Sequence, residues 1–301
     1  MSVVEAGNAS QSVMEQVGPN IIHHVSNSDI SHPILGLPTF FGIDFSITKH
    51  VFMLWVVAFL VAITIIIPIR KFLSSGRPTP SGWMNAIEAI VQFIRDSIAK
   101  PNVGPKWVMT WTPLLLTLFF FILFANGIGM VPIFDVLGLF NRFVMGVPAS
   151  DTHNFINNIL HGGVTATGNF NMTAALAVIT FFAIIIAGIM EHGFFKHWKN
   201  MVPGDVPKAV LIILIPIEIM SMFVRPFALT MRLAANMTAG HIAMLAIFAP
   251  IFILHNIYIG IGSVALNVGI TFLEIIVSIV QAYVFTLLSS VFIGQSIHPN
   301  H

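Results

Sequence analysis

The sequence predicts an all-α membrane protein, and three observations carry that prediction. Of its 301 residues 56% are hydrophobic and only 8% are charged, whereas a soluble domain is about 25% charged. So few charges leave a soluble globule of this size uncovered, which excludes the soluble enzyme classes. Several apolar runs reach the roughly 20 residues that cross a hydrocarbon core of about 30 Å. Ionisable residues nevertheless sit inside the last apolar region, where charge is normally functional. The net charge of +1 comes without a basic cluster, so no nucleic-acid partner is expected. No cysteine is present, which removes disulfides and thiolate chemistry. Residues 1–33 lack the basic start and apolar stretch of a signal peptide. Residues 1–40 therefore form a polar tail, and 41–301 a single helical membrane domain. His23, His24 and His32 have no fixed ligand spacing, so neither a metal nor another cofactor is expected.

The first span is expected at about Val51–Ile69, ending in Arg70-Lys71. A loop rich in proline and glycine follows through Gly82. From Trp83 to Lys100 apolar side chains recur at Trp83, Ile87, Ile90, Val91, Ile94 and Ile98, with Asn85, Glu88, Gln92, Arg95 and Asp96 between them. That is helical periodicity in a segment too polar to span, so it predicts an amphipathic helix in the membrane surface. The second span is expected at about Trp111–Val131 with Asn126 inside it, and the third at about Met172–Met190. A polar loop, about 135–171, separates them. Six Lys/Arg fall between 70 and 106 and three between 191 and 208, but only Arg142 lies in the 135–171 loop. The basic segments thus face the inner side, and the N-terminal tail and the 135–171 loop the outer side.

Glu218, Arg225, Arg232, His241 and Glu274 interrupt the final apolar region. Each charge at the centre of a spanning helix costs about 2.5–3.5 kcal/mol on insertion scales. Glu218, Arg225 and Arg232 are seven apart, nearly two helical turns, and Asn236 follows four later, so all four share one face. Glu274 and Gln281 are also seven apart. If residues 207–297 form an antiparallel hairpin turning near residue 257, Arg232 faces Gln281 and His241 faces Glu274. The two layers would lie about 10–14 Å apart. As one helix, 207–254 would be about 70 Å long. Either the hairpin is steeply tilted or Pro226 splits it into two upright spans.

The stretch Arg225-Pro-Phe-Ala-Leu-Thr-Met-Arg232-Leu-Ala-Ala-Asn236-Met-Thr-Ala-Gly-His241 closely resembles the signature helix of subunit a of F-type ATP synthases. So does Phe272-Leu-Glu274 through Gln281-Ala-Tyr-Val-Phe285. The resemblance extends to Pro113–Asn126, to Asn169-Phe-Asn171 and to Glu218, and covers most of 50–297. It implies one span, a surface helix, a pair of spans and a long, strongly tilted hairpin against a ring of c subunits. Two departures stand out. Many bacterial members carry a carboxylate at the His241 position and a histidine at the Glu274 position, so here the pair is exchanged. Some members have an acid where this chain has Gly129.

The resemblance implies a proton-translocating stator subunit without catalysis of its own, with two aqueous half-channels that do not meet. Arg232 would be the electrostatic gate, with Asn236 and Gln281 orienting it or lining the wall. His241 and Glu274 suit an outer-side relay. Asn126, Asp135, Asn169 and Asn171 would line the outer entrance, with Arg225 further along the path. Glu218 suits the inner exit. The expected partners are the c-ring, the peripheral-stalk b subunits and membrane lipid. The polar N-terminus without a transit pattern points to a bacterial inner membrane rather than a mitochondrion. A secondary transporter would show repeated halves, and the sequence has none. A structural scaffold would tolerate apolar replacements of the buried charges.

Overall fold

The structure, a computed structural model, describes residues 18–19, 35–39, 44, 46–76, 79–130, 140–141, 143–146, 166–200, 207–254 and 256–299. Most of the 1–40 tail, including His23, His24 and His32, lies outside the described residues, as do Asp135 and Arg142. The chain is all-α as expected. Among the described residues the only strand-like pairing is an isolated antiparallel bridge between Leu35 and Ile47. Among the described residues five helical stretches are long and apolar enough to cross a membrane: Lys49–Ser74, Trp83–Met130, Phe170–His192, Val210–Ile251 and Ile257–Ile297.

Without water, each run must close its backbone hydrogen bonds internally. Helix α1 (Lys49–Ser74) does so with one widened turn at Ala62–Ile66, just before Pro68. Pro68 has no N–H to offer the carbonyl four residues back. That carbonyl, on Thr64, instead accepts the indole N–H of Trp83 at 2.9 Å, which ties α1 to the start of α2. Helix α2 (Trp83–Gln92) continues through a second widened turn at Phe93–Ala99. It buries Ile87, Ile94 and Ile98 and leaves Gln92 and Asp96 exposed, as the amphipathic pattern predicts, but Trp83, expected on the apolar face, is exposed because its indole reaches back to α1.

Helix α3 (Lys100–Met130) is interrupted at Gly104, whose φ of 79° and ψ of 165° are not helical. A residue before proline avoids the α region, and glycine alone takes this positive φ without strain. The Gly104-Pro105 step therefore divides the amphipathic segment from the span. The helix resumes at Pro105 and contains the start of the expected second span at Trp111. Helix α4 (Phe170–His192) follows a short 3-10 turn at Ala166–Gly168, and α5 (Phe194–Asn200) follows the turn at Gly193. Helix α6 (Lys208–Leu254) is unbroken through Pro226, so the alternative of two upright spans does not occur. Helix α7 (Ile257–Ile297) completes the hairpin. Hydroxyls inside these helices donate to the carbonyl one turn back, as Thr230 does to Pro226 at 3.0 Å and Thr286 to Ala282 at 2.8 Å.

The chain divides into two compact units. The first comprises Met1–Val57, Ala125–Asn169 and Ala234–Ile279, and the second Ala58–Phe124, Phe170–Leu233 and Val280–His301. The second unit holds the main apolar core, with Ile94, Ile98, Leu115, Ile122, Leu233, Ala282 and Ile293 buried together. Polar ties fix its register: Ser290 Oγ donates to the Ile98 carbonyl at 3.2 Å and Ser296 Oγ to the Ile184 carbonyl at 2.7 Å. Gly294 lies so close to the Asn102 carbonyl that a Cβ there would overlap it. Gly294→Val is therefore expected to push α7 off the start of α3 and cost about 1–3 kcal/mol. Thermal unfolding of the purified protein in detergent reads this directly, and an unchanged midpoint would mean that the contact yields without cost.

Candidate ion-conducting site

In the first unit, α6 supplies His241 and α7 supplies Glu274. The His241 Nδ1 stands 3.8 Å from Glu274 Oε1, and the side chains are 11% and 4% exposed. The hairpin register expected from the sequence brings this pair together. At that separation the two groups sense each other electrostatically without a direct hydrogen bond. His241 Nε2 and both Glu274 oxygens are buried with no hydrogen-bond partner among the described residues. Gly240 makes the approach possible: a Cβ there would come within 2.6 Å of Glu274 Oε1.

Other buried polar groups belong to the same unit. Asn126 is wholly buried; its Nδ2 donates to the Ser278 carbonyl at 3.3 Å, and its Oδ1 has no partner among the described residues. Asn267 repeats the pattern, with Nδ2 on the Met244 carbonyl at 3.1 Å and a buried Oδ1 left over. Ser263, Asn267, Glu274 and Ser278 are all buried. Steps of four, seven and four residues put them on one face of α7. Asn169 is buried beside the entry turn to α4, whose Gly168 carbonyl accepts from Thr238 at 3.4 Å. Asp135 lies outside the described residues.

The second unit carries both arginines of α6. Arg232 is exposed on α6, and Gln281 is buried on α7. Asn236, four residues past Arg232 and within the first unit, is also exposed, as is Asn171 at the start of α4. Glu218 Oε1 lies 3.9 Å from Arg225 NH2, both side chains being partly exposed. The Arg225 guanidinium sits over the Phe292 ring, 5.5 Å from its centre. In the same unit, Glu191 Oε2 accepts from Lys106 Nζ at 2.7 Å and from the Trp107 indole N–H.

Asn267, Ser278 and Gly240 were not singled out from the sequence. Asn267 did carry a signal: it is an amide in an apolar run, seven residues before Glu274. Gly240 carried none, because its importance depends on what faces it.

Long apolar helices carrying a buried histidine beside a carboxylate, and an arginine on one of the same helices, define a membrane protein of the class that keeps ionisable groups within its spans. Comparison with known proteins narrows the class. Residues 51–294 match the family model of the ATP synthase A chain. "ATP synthase subunit a" of Chlorobium phaeobacteroides is 38% identical, covering 98% of this chain and 80% of that protein. The protein of the same name from Pelodictyon phaeoclathratiforme is 38% identical over 95% of this chain and 78% of its own length. "ATP synthase subunit a 2" of Chlorobium luteolum is 39% identical, over 93% and 76%. The chain belongs to the ATP synthase A chain family, and its role is that of the proton-translocating stator subunit of the membrane sector.

Proposed function

We propose that the chain carries protons along two aqueous half-paths that do not meet, and hands each proton to a carboxylate on a rotating ring of c subunits. The observation that supports this best is the His241–Glu274 pair, 3.8 Å apart and buried in apolar surroundings. Buried polar atoms without partners cost about 1–3 kcal/mol each. The orphan atoms on Asn126, His241, Asn267 and Glu274 gather in one unit. Such atoms are met by internal water, which also conducts protons. This cluster serves as the outer half-path, with Asn169 and Asn171 toward its mouth and Asp135 in the loop beyond. Imidazole titrates near neutral pH, and a neighbouring carboxylate couples to it, so the pair exchanges protons as one unit.

Glu218 and Arg225 belong to the inner half-path. Arg232 acts as the permanent cation that gates the two paths, and Asn236 and Gln281 orient it or line the channel wall. Its exposure on this chain fits a face covered by the c-ring. The peripheral-stalk b subunits are the stator partners, and the bacterial inner membrane is the setting. Helix α6, about 70 Å long at 1.5 Å per residue, exceeds the hydrocarbon thickness of about 30 Å, so it runs obliquely.

Glu274→Gln tests the outer relay. The amide keeps the shape and loses the proton. Potential-driven proton flux through the assembled membrane sector should fall about 100-fold, the low end of what a positioned proton-transfer group contributes. Wild-type flux in that variant would remove Glu274 from the path.

A further inference from the structure

At the inner end of the second unit, α5 folds back after Gly193 and places His197 against α4. The ring rests on Gly188, where a Cβ would overlap it, and Ser296 Oγ closes in on the same glycine from α7. Ser296 is already engaged, donating to the Ile184 carbonyl at 2.7 Å. His197 is only 7% exposed, and its Nε2 has no hydrogen-bond partner among the described residues. A phenylalanine or leucine would fill this place without leaving a polar atom stranded. The retained nitrogen therefore needs a use other than packing.

Two contacts fix the depth of this ring along α6. Phe181 of α4 stacks on Phe223 of α6 with ring centres 5.6 Å apart. Seven residues further inward on the two helices are Gly188 and Pro216. Arg225 sits over Phe292 of α7. Four residues further inward are Ser221 and Ser296. The glycine and serine that hold His197 thus lie at the depth of α6 residues between 216 and 221, within about one turn of Glu218. His192 on α4 shares this end, its Nε2 at 3.0 Å from the Ile297 carbonyl.

We infer that His197 passes protons between Glu218 and the aqueous inner surface. The inference rests on the proton-path reading above. In the outward-to-inward direction, the Glu218 carboxylic acid gives its proton through water to the imidazole and becomes a carboxylate. The imidazolium then releases a proton to water or buffer at the inner face; only O–H and N–H bonds are exchanged. In the pumping direction the imidazole collects the proton first. Burial, and then the neighbouring His192, hold the His197 proton affinity below the ordinary imidazole range, so the resting ring is neutral and has a lone pair to offer. The other titratable groups toward this end of the elements around it are Glu191, Lys100, Lys106, Arg225 and His298, with Lys196 and Lys199 on α5 itself. Glu191 is engaged by Lys106.

The test uses the assembled complex in inverted vesicles, where ATP-driven pumping draws protons from the medium bathing the inner face. Rates are taken per assembled complex and relative to wild type at each pH. His197→Gln is expected to pump like wild type near about pH 6.5 and roughly tenfold more slowly near about pH 8, where protons are scarce. Added imidazole in the medium should restore the rate at the higher pH. A ratio that is constant across pH and indifferent to imidazole would overturn the inference in favour of packing. So would failure of both His197→Gln and His197→Asn to assemble. Arg232→Ala, run alongside, separates the two levels: if it pumps, the underlying proton-path reading is wrong, and if it is dead while His197→Gln has a flat profile, only the role of His197 falls.

Discussion

Arg232→Ala is expected to abolish ATP-linked proton pumping while the complex still assembles. The side chain is exposed on α6 and engages no described carboxylate in an ion pair within 4 Å, so its removal leaves no buried partner stranded. What is lost is a fixed positive charge. A guanidinium keeps its proton at every working pH, and beside a ring carboxylate it lowers that group's pKa by about 1–3 units. Without it, the carboxylate keeps its proton where release is needed, and nothing repels protons from crossing directly between the half-paths. Arg232→Lys should fail as well, because an ammonium in apolar surroundings sheds its proton readily. The measurement is pumping per assembled complex, with ATP hydrolysis and passive leak recorded together. Normal coupled pumping in the alanine variant would reject Arg232 as the gate.

Gly240→Val should be the next most damaging change. A Cβ at this position meets Glu274 Oε1 at 2.6 Å, and valine adds two methyl groups to it. The carboxyl group must swing away from His241, and the relay opens. Misplacing a reacting group by about 1 Å costs on the order of 100-fold, so pumping should fall by roughly that factor. Glu274→Asp in the same chain shortens the acid by one methylene and should restore part of the rate. A valine variant that pumps normally, or a double variant no better than the single, would show that the spacing of the pair is not what limits flux.

The parts of this molecule that could be read from the chain were those in which composition contradicts surroundings. Arg232, His241, Glu274 and Glu218 are conspicuous because oil penalises charge, and their separations along a helix are arithmetic. The pairing of His241 with Glu274 followed from assuming one hairpin. The continuity of α6 through Pro226 did not follow from the residues alone, since proline is compatible with a kink, a break or an undisturbed helix; the family resemblance chose among them. The bend at Gly104 was not read from the chain, because a glycine before a proline is compatible with a turn or with a kinked helix that resumes, and only its positive φ decides between them. Gly188, Gly240 and Gly294 were silent for a common reason. A missing side chain has meaning only through the neighbour that occupies its space, and single-chain periodicity does not name that neighbour.

The polar-bonded end of the second unit has a mechanical consequence. Glu191 joins α4 to α3 through Lys106 and Trp107. Ser296 and His192 join α7 to α4, and Ser290 joins α7 to α2. Four helices are thus riveted at one rim by short polar bonds rather than by sliding apolar contacts alone. A stationary part beside a turning rotor bears a sideways load at every step, and any compliance there stores work as elastic strain. Each proton delivers only about 2.3 kcal/mol per 100 mV of potential, so a rim that resists shear directs more of that torque into rotation.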